Sequence, residues 1–379
     1  MTGASPAGAS GVGAPGTVVV KIGTSSLTDE RGVISVAAIE KLCAEVARLQ
    51  HRGERVVVVT SGAIAAGLPA LGLSDQPPTD LPTLQAISAV GQSRLMRVWD
   101  DALAAEALVG GQVLLAPMDF VDRKHYLHAR QTLSRLLDLK VIPVVNENDA
   151  IADDEVRFGD NDRLAALVAH LVGAHLLVLL TDAPGVLTAD PRLDRSASLI
   201  DEIVEVDQAL EAVAGPSGTP RGSGGMASKL AAAKIAAWSG VRAVIAAADR
   251  PGVLLDAVDG VPGVGTVIRP RDRRLSARKL WIAFAVGAGG TVVVDDGARS
   301  ALVHRPTSLL PAGVVAVEGS FDADDAVEIA GVDGRVFAKG LVRHPAARIK
   351  EWAGLRTSAL PPDVAHEVVH RDDLVVLPY

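Results

Sequence analysis

Residues 164–181 read LAALVAHLVGAHLLVLLT, eighteen positions without Asp, Glu, Lys or Arg. A run of that length comes close to spanning a bilayer. His170, Gly173 and His175 interrupt it, however. Gly173 is a good helix stop, because glycine takes the left-handed backbone at low cost. The segment Leu176–Leu180 suits a strand buried on both faces. Helix, glycine, buried strand is the predicted order, and no membrane span is expected.

The same alternation extends in both directions. Near-continuous apolar strands are expected at Thr17–Ile22, Arg55–Val59, Gln112–Ala116, Val141–Val145 and Val241–Ala246. Helical patterns lie between them. Ser35 is a candidate N-cap for a stripe of Ile39, Leu42, Val46 and Leu49, with Gly53 after its end. Leu84–Leu108, Tyr126–Leu137 and Ser228–Ser239 also repeat with helical period. The fold class is therefore α/β: a largely parallel open sheet sandwiched by helices.

After residue 268 the character changes. Arg269–Lys279 (RPRDRRLSARK) is a basic, proline-containing connection. Short β-like pieces follow at Trp281–Val286, Thr291–Val294, Gly313–Val317, Ala326–Ile329 and Val336–Val342. They predict a small β-rich barrel. The expected organisation is a tail (1–16), an α/β domain (17–268), a basic linker (269–287), a β domain (288–366) and a C-terminal segment (367–379). The tail is small and uncharged, without the basic start and apolar stretch of a signal peptide.

Composition excludes several function classes. Of 379 residues, 49% are apolar and 22% charged, so a core can form. The formal charge of -8 argues against a polycation that coats nucleic acid. The single cysteine, Cys43, cannot form an intrachain disulfide and fits a reducing, cytoplasmic setting.

In an open parallel sheet, ligands bind beyond the carboxyl ends of the strands. Five turns sit there or open a late helix: Lys21–Ser26, Thr60–Ala63, Asn146–Asp149, Thr181–Gly185 and Ser223–Lys229. Three are glycine and hydroxyl loops whose N–H groups can cradle anions. The chain has 9 Lys against 28 Arg, so lysines at a strand end (Lys21) and a helix start (Lys229) stand out. Lys229 opposes the helix dipole unless an anion is close. The only three asparagines, Asn146, Asn148 and Asn161, fall within one short window beside Asp149, Asp160 and Asp162. Turn chemistry is the plain alternative for these Asn and Asp residues.

Two lysines and several N–H nests suit polyphosphate. No GxxxxGK[ST] loop is present, and no GxGxxG follows the first strand. Phosphoryl transfer needs mainly positioning and charge neutralisation. Asp149, Asn161 and Asp162 could hold an ammonium group, which favours a small zwitterionic acceptor. One competing motif, His366-Glu-Val-Val-His370, matches a zincin signature that works only on a helix. Pro361-Pro362 and the β-branched pair favour a strand instead, where the histidines would stand ~13 Å apart.

Seven stretches carry a family resemblance: VVVKIGTSSLT (18–28), VVTSGAIAAG (58–67), AVGQSRLM (89–96), PVVNENDAI (143–151), FGDNDRLAALVA (158–169), LLTDAPGVLTADPR (179–192) and GSGGMASKLAAAKIA (222–236). Together they resemble the glutamate 5-kinases of the amino acid kinase family. DDGARSAL (295–302), SLLPAGV (308–314) and VVHRDDLVVL (368–377) are similar to a PUA domain. The resemblance implies ATP-dependent phosphorylation of the L-glutamate γ-carboxylate, the first step of proline biosynthesis. It implies that Lys21 and Lys229 contact the phosphates and that Asp162 orients them. Ser61 and Gly62 would bind the glutamate carboxylate, and Asp149 and Asn161 its amino end. Thr181, Asp182 and Ser223, Gly224, Gly225, Met226, Ala227, Ser228 and Lys229 would hold ATP, with Lys21. Mg²⁺ would bridge the phosphates, with no metal site of the protein's own. Proline inhibition, self-association and transfer of product to the next enzyme are further expectations. RNA binding is not expected as the main role, since residues 280–379 are net acidic. The alternatives are another amino acid kinase, for aspartate or N-acetylglutamate, or an RNA-binding accessory role through the PUA-like domain.

Overall fold

The structure is a computed structural model that describes residues 16–29, 31–120, 122–151, 161–189, 194, 196–206, 210, 225–272, 274–284, 287–361 and 365–377. The chain divides into two compact units, one up to Asp272 and one from Arg273.

Among the described residues, eight strands build the first unit: β1 (Thr17–Ile22), β2 (Arg55–Val59), β3 (Gly110–Leu115), β4 (Ile142–Glu147), β5 (Leu176–Thr181), β6 (Glu202–Ile203), β7 (Arg242–Ala247) and β8 (Thr266–Ile268). They form one sheet in the order β3-β4-β2-β1-β5-β7-β8-β6. All pairings are parallel except β7 with β8. In β1 and β5 every residue is buried, as their unbroken apolar runs predict. Val20 faces Val58 on one side and Val178 on the other, which places β1 at the centre. The chain winds from β1 towards β2 on one flank and later crosses to β5 on the opposite flank. That reversal makes the gap between the carboxyl ends of β1 and β5 the topological switch point.

Helices pack on the sheet. We number them α1 (Thr24–Leu27), α2 (Val36–His51), α3 (Ala63–Gly67), α4 (Leu81–Ala105), α5 (Arg123–Asp138), α6 (Asn161–Leu171), α7 (Met226–Trp238) and α8 (Val253–Asp259). The Ser35 hydroxyl accepts from the Ala38 N–H and starts α2. Its predicted stripe is buried in a core shared with Val18, Val56 and Leu176. Gly173, at φ 62°, separates α6 from β5. The uncharged run is thus a helix and a strand, and among the described residues no helix is long and apolar enough to cross a membrane.

In the second unit, α9 (Ala277–Phe284) precedes β9 (Gly290–Val294), α10 (Asp296–His304), β10 (Val314–Gly319), β11 (Ala326–Gly331), β12 (Val336–Val342), α11 (Ala346–Trp352) and β13 (Val369–Val376). The strand order is β10-β9-β11-β12-β13. Leu309, just ahead of β10, exchanges backbone hydrogen bonds with Val369 in β13 at the other edge, which curls the sheet towards closure. Val292, Ile329, Phe337 and Ile349 sit in its separate core. One expectation is corrected here: Trp281–Phe284 belongs to a helix, not a β piece. Leu280 and Ile282 are both buried there, and a short apolar run fits either period. Residues 285 and 286, the tail before Gly16, and Asp160 lie outside the described residues.

The His366–His370 segment runs into β13, with Val368 and Val369 buried in the core. His366 bonds the Pro361 carbonyl and His370 faces Asp372. The two imidazoles do not share one helix face.

Candidate active site

Lys21 is the fifth residue of β1, so its side chain leaves the sheet near the switch point. It is only 3% exposed. A Cβ at Gly23 would stand 3.2 Å from the Lys21 Nζ, so glycine leaves the ammonium room beside the backbone. The Lys21 Nζ lies 2.6 Å from the Asp162 Oδ1. Lys229, from the first turn of α7, places its Nζ 3.2 Å from the Asp162 Oδ2. The Ser228 hydroxyl donates to the same Oδ2 at 2.7 Å and also lies 2.8 Å from the Gly225 carbonyl.

Two ammonium groups and a hydroxyl therefore converge on one carboxylate that is 1% exposed. Burial alone would raise the Asp162 pKa, because the charged form loses solvation. The fields of Lys21 and Lys229, with hydrogen bonds from Lys21 and Ser228, outweigh it and hold the group at about 2. Asp162 also sits in the first turn of α6, where the helix dipole favours an anion. The same anion accounts for Lys229, whose charge is otherwise unfavourable at the start of α7.

A second group of polar side chains lies at the ends of β2 and β4. Gly62 follows Thr60-Ser61 at φ 100° and opens α3, a backbone that other residues resist. The Trp99 indole N–H donates to the Thr60 hydroxyl at 3.2 Å. Ser61 is buried. The turn is further held by close packing of α3 on α4: a Cβ at Gly91 would stand 1.8 Å from the Ala63 carbonyl oxygen. At the end of β4, the Glu147 N–H donates to both the Asn146 and Asn161 Oδ1 atoms, at 3.0 and 3.1 Å. Asn161 thereby ties the start of α6 to β4. Asp149 is buried and accepts at 2.7 Å from the Ser88 hydroxyl. Burial raises its pKa, and the Ser88 bond works against that rise.

At the end of β5 the Thr181 hydroxyl donates to the Asp182 carboxylate at 3.0 Å, and the Ala248 N–H donates to the Thr181 carbonyl at 2.7 Å. Beside them opens a cavity of about 430 Å³, lined by Ile22, Ser25, Ser26, Lys41, Thr181 and Asp182 among others. Gly225, Met226, Ala227, Ser228 and Lys229 form the start of α7, and no side chain caps that end among the described residues. Ser223 and Gly224 lie outside them.

Lys21, Asp162, Ser228 and Lys229 thus form one bonded cluster, joined through Asn161 to the end of β4. Thr181 ends β5, the neighbour of β1, and lines the cavity together with Asp182. Sequence reading overlooked Ser88 and Gln92. Gln92 accepts from the Asn146 side-chain amide at 2.8 Å. Both are polar positions one turn apart on the α4 face that also carries Gly91 and Trp99.

A family model described as the amino acid kinase family matches residues 16–247, and one described as the PUA domain matches residues 290–360. The fold, the residues at the strand ends and the family models agree on the class: an amino acid kinase followed by a PUA domain. The glutamate 5-kinase of Pelobacter propionicus is 42% identical over 364 residues, covering 95% of this chain and 97% of that one. The glutamate 5-kinase of a Geobacter species is 45% identical over the same length, with the same coverage of both chains. The chain belongs to the glutamate 5-kinase branch of the amino acid kinase family. Carbamate kinase from Giardia lamblia bound to AMP-PNP aligns with 68% of this chain and 99% of its own, with a TM-score of 0.50. At 16% identity it speaks for the fold alone.

Proposed function

We propose that this enzyme transfers the γ-phosphoryl group of ATP to the γ-carboxylate of L-glutamate, giving L-glutamyl 5-phosphate and ADP, the first step of proline biosynthesis. The observation that carries the reading is the pair of buried ammonium groups, Lys21 and Lys229, on one carboxylate beside the switch point. The obstacle in this reaction is repulsion, since an anionic carboxylate must approach an anionic phosphoryl group. Fixed cations in a partly dry site lower that barrier.

The step needs no base. An ionised carboxylate oxygen bonds to phosphorus while the bridging bond to the β-phosphate breaks, and ADP leaves with the electron pair. Lys21 and Lys229 neutralise the charge spread over the transferring group. Asp162 stays ionised across the working pH range and keeps both ammonium groups aimed at one place. Ser61 and Gly62 receive the glutamate carboxylate. Asp149 and Asn161 receive its amino end. Thr181, Asp182 and residues 223–229 hold the nucleotide. The Lys21 and Lys229 ammonium groups and the Ser228 hydroxyl suit phosphate oxygens rather than a cation. Mg²⁺ would accordingly be carried by the triphosphate, adding positive charge there.

On the same reading we assign catalysis to residues 17–268. Proline as feedback inhibitor, self-association, a cytoplasmic location and hand-over of the labile product are extensions of it. The test is a panel of glutamate, aspartate and N-acetylglutamate with MgATP, trapping the acyl phosphate with hydroxylamine. Glutamate should be the preferred acceptor; preference for either of the others overturns the assignment.

A further inference from the structure

The stretch AVGQSRLM has no role in the chemistry above, yet α4, which carries it, touches both acceptor turns. Trp99 donates to Thr60, Gly91 admits α3, Gln92 accepts from Asn146, and Ser88 donates to Asp149. Ser88 is the most informative of these. It is 4% exposed and lies next to the fully buried Ile87. A hydroxyl in such surroundings is unfavourable unless it is hydrogen-bonded. Helical serines commonly bond back to a carbonyl one turn earlier. Ser93 on the same helix does so, donating to the Val90 carbonyl at 3.2 Å. The Ser88 hydroxyl instead crosses to the end of β4 and donates to the Asp149 Oδ2.

We propose that Ser88 is a positioning residue for the amino acid acceptor: it pins the Asp149 carboxylate through Oδ2 and turns Oδ1 to the acceptor's ammonium group. The proposal rests on the reading of Asp149 as the ammonium's partner. Three observations support it. Asp149 is itself buried, so its orientation is set by the few groups it meets. Among the described residues, Ser88 is its one side-chain hydrogen-bond donor, and Oδ1 takes no bond. The Ser88 bond also favours the ionised carboxylate against the effect of burial, and only that form attracts an ammonium ion. Without the hydroxyl, the carboxylate rotates and protonates more readily. The loss falls on binding common to ground and transition states, hence on KM.

The experiment compares the full-length parent, Ser88→Ala and Asp149→Asn. It measures kcat, the KM for glutamate and for ATP, and the inhibition constant of glutarate, which has both carboxylates but no amine. Ser88→Ala should raise the glutamate KM about tenfold, the scale of one hydrogen bond to a charged group. It should leave kcat, the ATP KM and the glutarate constant within twofold. If Asp149→Asn raises the glutamate KM and Ser88→Ala does not, the proposal fails while the Asp149 reading stands. If Ser88→Ala weakens glutarate and glutamate alike, the serine acts through general packing and the proposal also fails. An unchanged glutamate KM in Asp149→Asn removes the Asp149 reading, and the role of Ser88 with it.

Discussion

Replacing Asp162 with asparagine separates charge from volume at the centre of the site. The carboxylate is 1% exposed and lies 2.6 Å from one ammonium group and 3.2 Å from another. Asparagine keeps the shape and can still accept from Ser228, but it removes the negative charge that both buried cations share. Removing one partner of a buried ion pair typically costs 3–5 kcal/mol, against a typical total stability of 5–15 kcal/mol. The variant should therefore fold, with a clearly lower denaturant midpoint. MgATP supplies negative charge to the same place, so it should stabilise the variant more than the parent. The rate should fall on the order of 10²–10³ in kcat, because the two lysines lose their common anchor. Acid titration provides an independent check. The folded pKa of Asp162, about 2, lies below the ordinary 3.8. Its contribution, about 2 kcal/mol, is present above pH ~4 and lost as pH falls through ~2. That acid-dependent loss should shrink in the variant. A variant that keeps near-parental kcat and an unchanged midpoint, with and without MgATP, would show that Asp162 does not organise the lysines.

Lys21→Ala and Lys229→Ala should each lower kcat by roughly 10²–10³ in steady-state assays, and each should lower the denaturant midpoint less than Asp162→Asn does, because Asp162 keeps the other lysine. Asp149→Asn should raise the glutamate KM yet increase thermal stability of the ligand-free enzyme at neutral pH. Burial raises the folded pKa of Asp149, so its ionised form costs stability there, and the neutral amide removes that cost. Gly91→Ala would drive a methyl to 1.8 Å from the Ala63 carbonyl oxygen and 2.5 Å from the Gly67 nitrogen. Backbone atoms cannot yield as side chains do, so denaturant unfolding should show a loss of about 1–3 kcal/mol or more, and displacement of the Ser61–Gly62 turn should raise the glutamate KM.

The parts that were legible in the sequence share a physical property: each carries a strong local signal, whether an unbroken apolar run or a charge out of place. TVVVKI reads as a central strand because its run is apolar on both faces, and β1 is indeed buried throughout. Lys229 stands out because a cation at a helix start needs an anion, and Asp162 is that anion. The α9 helix was missed because Trp281–Phe284 satisfies both a strand and a helix in so few residues. The two-residue β6 and three-residue β8 are too short to show any period, and are held as strands by pairing with each other and with β7. Ser88 was invisible for a different reason. A serine among apolar residues of a helix violates no local rule strongly, and its significance comes wholly from meeting Asp149 across sixty-one positions of chain. Catalytic groups that must carry charge are thus conspicuous locally, since buried charge always demands a partner. The neutral hydroxyls and amides that aim them are ordinary locally and acquire meaning only from contact. Resistance of the lysine–Asp162 cluster to change and tolerance at Ser88 can therefore differ widely, although both serve one pocket. The same asymmetry predicts that losing Ser88 tunes acceptor affinity, while losing Asp162 disables the phosphoryl-transfer step itself.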